Sequence, residues 1–430
     1  MHDNNMISPN KVASFFMLLA LSSFAKAEQP RLTLQVAINI AELDNPSLAQ
    51  TQARSRAMSA IPSQVGTLPD PVISFTALNL PVDTFDIAQE NMTQMQGGIS
   101  QAIPFFGKLA LREQAATFQS EAAFYDVTEA RFHLLRDVKN TWWALFYLDR
   151  ALDIIATNQS LLRQFVKIAQ TKYEVGEGLQ QDVLLAQLEL SQLLNNKIRL
   201  IGSQNKIKAQ LNALLNKPAN HAFSLPDQVV EDLPILQAEQ DLFNQAESYR
   251  SILASRRKSI HAAQSRLDLA RKDLLPDFTV GAYYGGREDT LSGEKRADFL
   301  SLKLSMNVPI FAASKQQKAI DQRSSELMQQ RYAMQDQWNK VRAEISTAYS
   351  AFQQTKSQSL LFKNGIIPQA RQTVASMLAG YQVNKVDFLN LVRSQITLYN
   401  YETQYWKALS EANQALAQLT AVVGKEEIYE

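Results

Sequence analysis

The sequence predicts an α+β protein built from very long helices and short amphipathic strand pairs, and three observations lead there. Its 430 residues include only 14 glycines and 14 prolines, below ordinary usage, so long stretches carry no helix breaker. Elsewhere apolar and polar side chains alternate with a period of two. The chain is also written twice. YEVGEGLQQDVLLAQLEL, Tyr173 to Leu190, returns as YQVNKVDFLNLVRSQITL, Tyr381 to Leu398, about 208 residues later.

The first residues read as a leader. Lys11 precedes an apolar run from Val12 to Ala25, and Ala25-Lys26-Ala27 is a small-x-small cleavage pattern before Glu28. Either Met1 or Met6 can start it. A buried core helix would share the apolar run, but the flanking residues select a signal peptide over 1–27. No cysteine follows it, so no lipid anchor through cysteine is expected; the chain has none at all, which excludes disulfides and thiolate metal ligands. A net charge of +1 leaves no electrostatic footprint for nucleic acid. Beyond Ala27 no apolar run approaches the roughly 20 residues of a spanning helix, so entry into a membrane would have to be as a barrel.

The duplication extends beyond the first match. Pro69-Asp70 opens PDPVISFTALN and Pro276-Asp277 opens PDFTVGAYYGG; GISQAIPFFGK, from Gly98, answers to LSMNVPIF, from Leu304; Leu48-Ala49 answers to Leu253-Ala254. Matches at nearly one spacing indicate an internal repeat. Each half reads helix, two strands, very long helix, turn, helix. Lys108 to Val175 contains neither Gly nor Pro, which as one helix would be about 100 Å long. Leu134, Leu135, Val138, Trp142, Leu145 and Phe146 recur at helical spacing and predict one buried stripe. Residues 235–275, 312–364 and 381–423 are equally free of breakers and predict further unbroken helices.

In FLSLKLSMNVP, Leu300, Leu302, Leu304, Met306 and Val308 alternate with Ser301, Lys303, Ser305 and Asn307. That is the pattern of a membrane-barrel strand, and a half-buried strand of a soluble sheet shares it. Gln94 to Ile99 is a weaker version. The intervening PVDTFDIAQENMT and GGREDTLSGEKRAD are polar, like loops outside a cell. Four strands cannot close a barrel, since about eight are needed. The membrane reading therefore requires several chains to pool their strands.

Together the leader, the duplicated halves, the PD-strand-loop-strand-IP order with Gly107-Lys108 opening a helix, and the YxxGxxxxxDVLxAQxxL stretch resemble the outer-membrane efflux protein (TolC) family, from about Leu32 to Gly424. The resemblance implies an α+β membrane fold: a homotrimer in which four strands per chain build a 12-stranded outer-membrane β-barrel above a long α-helical barrel crossing the periplasm of a Gram-negative cell. It divides the chain into the leader, a first repeat over 28–217 (hairpin 71–105, periplasmic tip near 173–183), an equatorial linker over 218–234, a second repeat over 235–423 (hairpin 277–310, tip near 381–391) and a tail over 424–430. It further implies a passive conduit in a tripartite efflux system, partnered by a periplasmic adaptor (membrane fusion) protein and an inner-membrane pump of the resistance-nodulation-division class, with lipid around the barrel and no cofactor. Met92 to Ala116 looks most like members paired with heavy-metal pumps. Drug efflux and type I protein secretion remain open as alternatives.

By the same resemblance, Val175, Gly176, Glu177 and Gly178, with Val383, Asn384, Lys385 and Val386, are the adaptor-contacting tips. Asp182, Asp387, Asn390 and Arg393 are candidates for the periplasmic aperture. Family channels can carry an aspartate gate at positions that align with Asn390 and Arg393, so a positive ring would replace a negative one. An Asp387–Arg393 contact, or Asp182–Arg393 between protomers, would hold it closed; Asp182 also reads as a helix-capping residue, and Arg393 also reads as solvated surface charge. Ser301, Lys303 and Ser305 are expected to face the barrel lumen.

Other classes fit less of the chain. No phosphate loop, G-x-S-x-G, H-E-x-x-H or dinucleotide fingerprint is present, so no enzyme is expected. His133, His221 and His261 are scattered, and Met92 and Met95 read as strand residues, so no metal site is expected. A secreted structural coiled coil accounts for the helices but not for the duplicated amphipathic strands.

Overall fold

A computed structural model describes residues 31–429; the leader lies outside them. The first half runs α1 (Leu34–Asp44), α2 (Pro46–Ser59), α3 (Ile61–Gly66), β1 (Val72–Leu78), β2 (Gln94–Ile103), α4 (Lys108–Glu174) and α5 (Gln180–Leu214). The second runs α6 (Glu239–Tyr249), α7 (Ser251–Lys272), β3 (Phe278–Gly286), β4 (Phe299–Met306), α8 (Gln316–Leu361), a π turn (Phe362–Ile366), α9 (Ile367–Gln382) and α10 (Phe388–Val423).

The 67 residues of α4 are unbroken, which makes it about 100 Å long. All six residues of its expected stripe are buried, Val138 and Leu145 completely. Near its middle Trp142 stacks on Phe146 with ring centroids 5.5 Å apart, and the Trp142 indole N–H donates to the Leu32 carbonyl at 2.9 Å. That bond pins the start of the described chain to the long helix. Separate apolar clusters follow at other levels of the helices, one around Val341, Ile345 and Phe352 and one around Phe165, Tyr381 and Phe388.

The expected helices differ in four details, the fourth being that 381–423 opens with the tip turn over 383–387 and is helical as α10 only from Phe388. Residues 235–275 do not form one helix: α6 starts only at Glu239, and the chain breaks at Arg250, whose ψ is 111°. The cause is tertiary. The Arg250 side chain is 3% exposed, pairs with the Glu129 carboxylate at 2.7 Å and donates to the Ala421 carbonyl. Gly424, at φ +79°, seats against the same break, where an added Cβ would come within 2.8 Å of the Tyr249 carbonyl oxygen. The second difference is a turn: the segment from Ala312 begins with one, and α8 opens at Gln316. The third is a continuation, because the helix passes Gly365 and Pro368 through the π turn and goes on as α9. The wider turn suits a proline, which supplies no N–H and crowds the carbonyl one turn back. The 218–234 stretch holds this bulge in place. Glu231 pairs with Lys363 at 2.7 Å and accepts from the Tyr405 hydroxyl, and the Lys356 ammonium donates to the Pro234 carbonyl at 2.8 Å.

The strands form one antiparallel sheet in the order β1-β2-β3-β4. The two hairpins share a register: Val72 pairs with Ser100, and Thr279, 207 residues beyond Val72, pairs with Ser305, 205 beyond Ser100. One face carries Ile73, Phe75, Met95, Ile99, Val280, Leu300, Leu302, Leu304 and Met306, each at least 40% exposed. The other carries Ser74, Thr76, Gln96, Ser100, Ser301, Lys303 and Ser305. On that polar face the Tyr283 ring covers Gly98 of the neighbouring strand, where an added Cβ would lie 2.0 Å from the ring.

Sheet and helices meet at Lys108. Its side chain is 2% exposed, and the ammonium reaches Asp277 at 2.9 Å, Asp273 at 3.3 Å and the Leu275 carbonyl at 2.9 Å. Asp277 also accepts from the Phe105 N–H at 2.8 Å. Thus the Gly-Lys of the first repeat grips the Pro-Asp of the second. Burial pushes the Asp277 carboxyl up, but the Lys108 ammonium and the Phe105 N–H outweigh it and hold the group below its ordinary value.

Lys108→Met removes a charged donor with three acceptors, and the expected loss is about 1.5–3 kcal/mol, read as a lower melting temperature by circular dichroism in detergent. The Asp277 carboxyl titrates lower folded than unfolded, so its contribution is present above about pH 4 and is lost as pH falls through its folded value. The wild-type melting temperature should therefore drop across that acid window more steeply than that of Asp277→Asn.

Candidate functional site

At the end of the helices far from the sheet, the two repeats each close a hairpin tip. In the first, the Glu177 N–H donates to the Lys172 carbonyl at 2.8 Å and the Gly176 N–H to Tyr173 at 3.1 Å; in the second, Lys385 donates to Gly380 at 2.9 Å and Asn384 to Tyr381 at 3.2 Å. Both are Schellman closures. Their left-handed residues are Gly176 at φ +77° and Asn384 at φ +57°, and 208 positions separate them. Glycine needs no compensation there, and asparagine is among the few other residues that adopt this conformation readily.

The tips also share an internal contact with the partners exchanged. Lys172 packs over Gly178, where an added Cβ would lie 2.9 Å from the lysine Cβ; Val386 packs over Gly380, where it would lie 2.6 Å from a valine methyl. Residues 172 and 178 correspond to 380 and 386 at the repeat spacing. The large side chain precedes the turn in one copy and follows it in the other.

Lys172 then joins the two tips. Its ammonium donates to the Tyr381 carbonyl at 3.0 Å and to the Asn384 side chain, and sits 4.5 Å from the centre of the Tyr381 ring. Tyr381 is 5% exposed, while its counterpart Tyr173 is 48% exposed. Under the tips, Phe165, Ala169, Ala186, Phe388, Leu391 and Val392 form a shared apolar core. One buried polar bridge crosses higher up, from the Gln395 amide to Asn158 at 2.7 Å.

The aperture candidates do not assemble as a single group. Asp182 lies in the first turn of α5, and Asp387 immediately precedes α10. Burial pushes the Asp182 carboxyl up; a hydrogen bond from the Leu179 backbone N–H pulls it back, and the charge on Asp387 adds to the upward push. This reach back to the residue before the helix is half of a capping box, so the capping position itself is Leu179. The two carboxylates, one from each repeat, are close enough for their charges to interact. Asn390 and Arg393 are exposed on α10, and Arg393 has no ion pair among the described residues. The Asp387–Arg393 contact is therefore absent within the protomer. Six residues along a helix amount to about 240° of rotation, which turns Arg393 away from Asp387.

Of the adaptor-contacting candidates, Val175, Gly176, Glu177, Val383, Asn384 and Lys385 are exposed, and Gly178 and Val386 are half-buried beneath Lys172 and above Gly380. Ser301, Lys303 and Ser305 stand on one exposed face of β4. Sequence reasoning missed Lys172, although its mismatch with Gly380 between otherwise similar repeats was a readable signal. It also missed the clasp between the loops at the opposite end. There Arg296 donates to Asn91 at 2.9 Å and to the Ala88 carbonyl at 3.0 Å, and Arg287 to the Asn91 carbonyl at 3.1 Å.

Among the described residues no helix is long and apolar enough to cross a membrane, and no group of three or more His, Cys, Asp or Glu is placed to hold a metal ion. The architecture is found in solved outer-membrane channels. VceC of Vibrio cholerae superposes with a TM-score of 0.76 at 16% identity, covering 92% of this chain and 97% of that one. Among curated proteins, the cobalt-zinc-cadmium resistance protein CzcC of Cupriavidus metallidurans is 20% identical over 396 residues, 92% of this chain and 90% of its own. The outer membrane efflux protein BepC of Brucella suis is 25% identical over 261 residues, 57% of this chain and 55% of its own. The family described as outer membrane efflux protein matches residues 37–217 and 242–425. Both repeats are thus matched across sheet, helices and tips, and the chain belongs to the outer membrane efflux protein family.

Proposed function

We propose that three copies of this chain form the outer-membrane channel of a tripartite efflux system, receiving heavy-metal cations from a periplasmic adaptor and an inner-membrane pump. The observation that carries the reading is the four-stranded sheet, apolar on one face and polar on the other, set on helices about 100 Å long. Such a sheet suits lipid outside and water inside, and the helices are long enough to cross a periplasm. The cation cargo rests on the similarity to CzcC over nine-tenths of the chain.

In this reading Val175, Glu177, Val383 and Lys385 are the parts of the tips that meet the adaptor. Asp182 and Asp387 put paired negative charge near the aperture, with Asn390 and Arg393 further along α10. A deletion strain should lose tolerance to cobalt, zinc or cadmium and regain it from a plasmid copy. A loss of antibiotic tolerance alone, with metal tolerance intact, would move the cargo to drugs.

Leu302→Arg places a charge on the lipid face and should impair insertion by about 2–4 kcal/mol near the bilayer middle, seen as loss of folded protein from outer-membrane fractions. Lys303→Gln on the water-filled side should leave the folded amount unchanged. Equal effects from both would mean that the sheet does not sit in lipid.

Arg393→Ala should raise single-channel conductance in planar bilayers if three arginines narrow the aperture. Unchanged conductance, with normal assembly, would leave Arg393 as surface charge.

A further inference from the structure

We infer that the free edge of β4 pairs antiparallel with the free edge of β1 in a second copy of this chain, in the register that sets Lys303 opposite Thr76. This rests on the channel reading above and deepens it, because it fixes which backbone groups meet at the seam between chains. Among the described residues of one protomer, β1 and β4 are the outer strands of the sheet and have no partner on their outer sides.

The register follows from the repeat. Inside the chain the two hairpins are joined through β2 and β3, where Gly98 pairs with Tyr283 and Gly97 with Tyr284. β1 is the counterpart of β3, and β4 of β2. Pro69 and Pro276, just before β1 and β3, set that spacing at 207, and Pro104 and Pro309, just after β2 and β4, set theirs at 205; the two hairpin registers agree with this sum. Carrying the β2–β3 junction over to β4 and β1 turns Gly98–Tyr283 into Lys303–Thr76. It also gives Ser305–Ser74, Leu304–Phe75, Met306–Ile73 and Leu302–Ala77.

Side-chain chemistry, which played no part in that mapping, agrees with it. Every apolar residue named meets an apolar one, and every polar residue meets a polar one. A shift by one residue would set Leu304 against Ser74 or Thr76 and turn one strand's apolar face toward water. Shifts by two would preserve the faces, and only the repeat excludes them. A charge pair points to the same seam. Inside the chain Lys108, which opens α4, grips Asp277 just before β3. At the outer edges Lys315, just before α8, and Asp70, just before β1, are both exposed and have no ion pair among the described residues.

The chain contains no cysteine, so paired substitutions introduce its only thiols. Thr76→Cys with Lys303→Cys should yield covalent trimers on mild oxidation, because directly opposed residues lie within disulfide reach. Ser74→Cys or Leu78→Cys, each with Lys303→Cys, represents a two-residue shift and should cross-link about tenfold less, because diagonal neighbours sit beyond that reach. Mass measurement in detergent before oxidation separates the outcomes. A trimer that cross-links best through residue 74 or 78, or through none of the three pairs, overturns the register. A protein with no trimer overturns the assembly on which it rests.

Discussion

The structure depends on one constraint: a β-sheet in lipid cannot leave its edge N–H and C=O groups without partners. This chain makes a sheet with one continuous apolar face, from Ile73 and Phe75 on β1 to Leu302 and Leu304 on β4. It stops at four strands, about half of what the smallest barrel needs. In water such edges invite aggregation; in a membrane they must be closed by other strands. The rest of the architecture follows from solving this in company. Each protomer supplies a rigid staple at Lys108 between its two hairpins, so that the sheet arrives as one piece. In the proposed channel, the long helices below give the copies a second, helical surface over which to associate.

The broad plan was legible because it rests on local signals. A helix of 67 residues needs only an absence of breakers and one apolar stripe, and α4 has both. The strands were legible from alternation, and the duplication from spacing. The details that escaped are tertiary. Nothing near Arg250 in sequence announces a break, because its cause is a guanidinium buried against Glu129 and Ala421, residues far along the chain in both directions. Conversely, Gly365 and Pro368 read as breakers, and the helix runs through them because a π turn accommodates the ring and the Glu231 network braces it.

The same division holds at the tips. Which residues stand there could be read from the repeat, and their exposure follows from being turns. Which of them touch could not. Asp182 and Asp387 come close enough for their charges to interact only because Phe165, Tyr381 and Phe388 pack one hairpin against the other. Arg393, six residues from Asp387, is turned aside by the helical phase. Sequence spacing gave the candidates, and packing decided among them.

The two copies differ most visibly in burial where a contact inside the chain joins them. Lys172 reaches from the first tip to Tyr381 and Asn384 of the second, while its counterpart Gly380 has no side chain to reach anywhere. Tyr381 is buried beneath that lysine, and its counterpart Tyr173 is left exposed. Lys108 is likewise buried against Asp277, while Lys315 and Asp70 are exposed in the single chain. A duplicated chain has one seam formed during its own folding and another that must wait for a second molecule. The first can be locked by buried charge, because both partners arrive together. At the second, a lysine as buried as Lys108 would be an unpaired charge until assembly, at a cost of several kcal/mol. Partners that stay solvated until a second chain arrives avoid that cost.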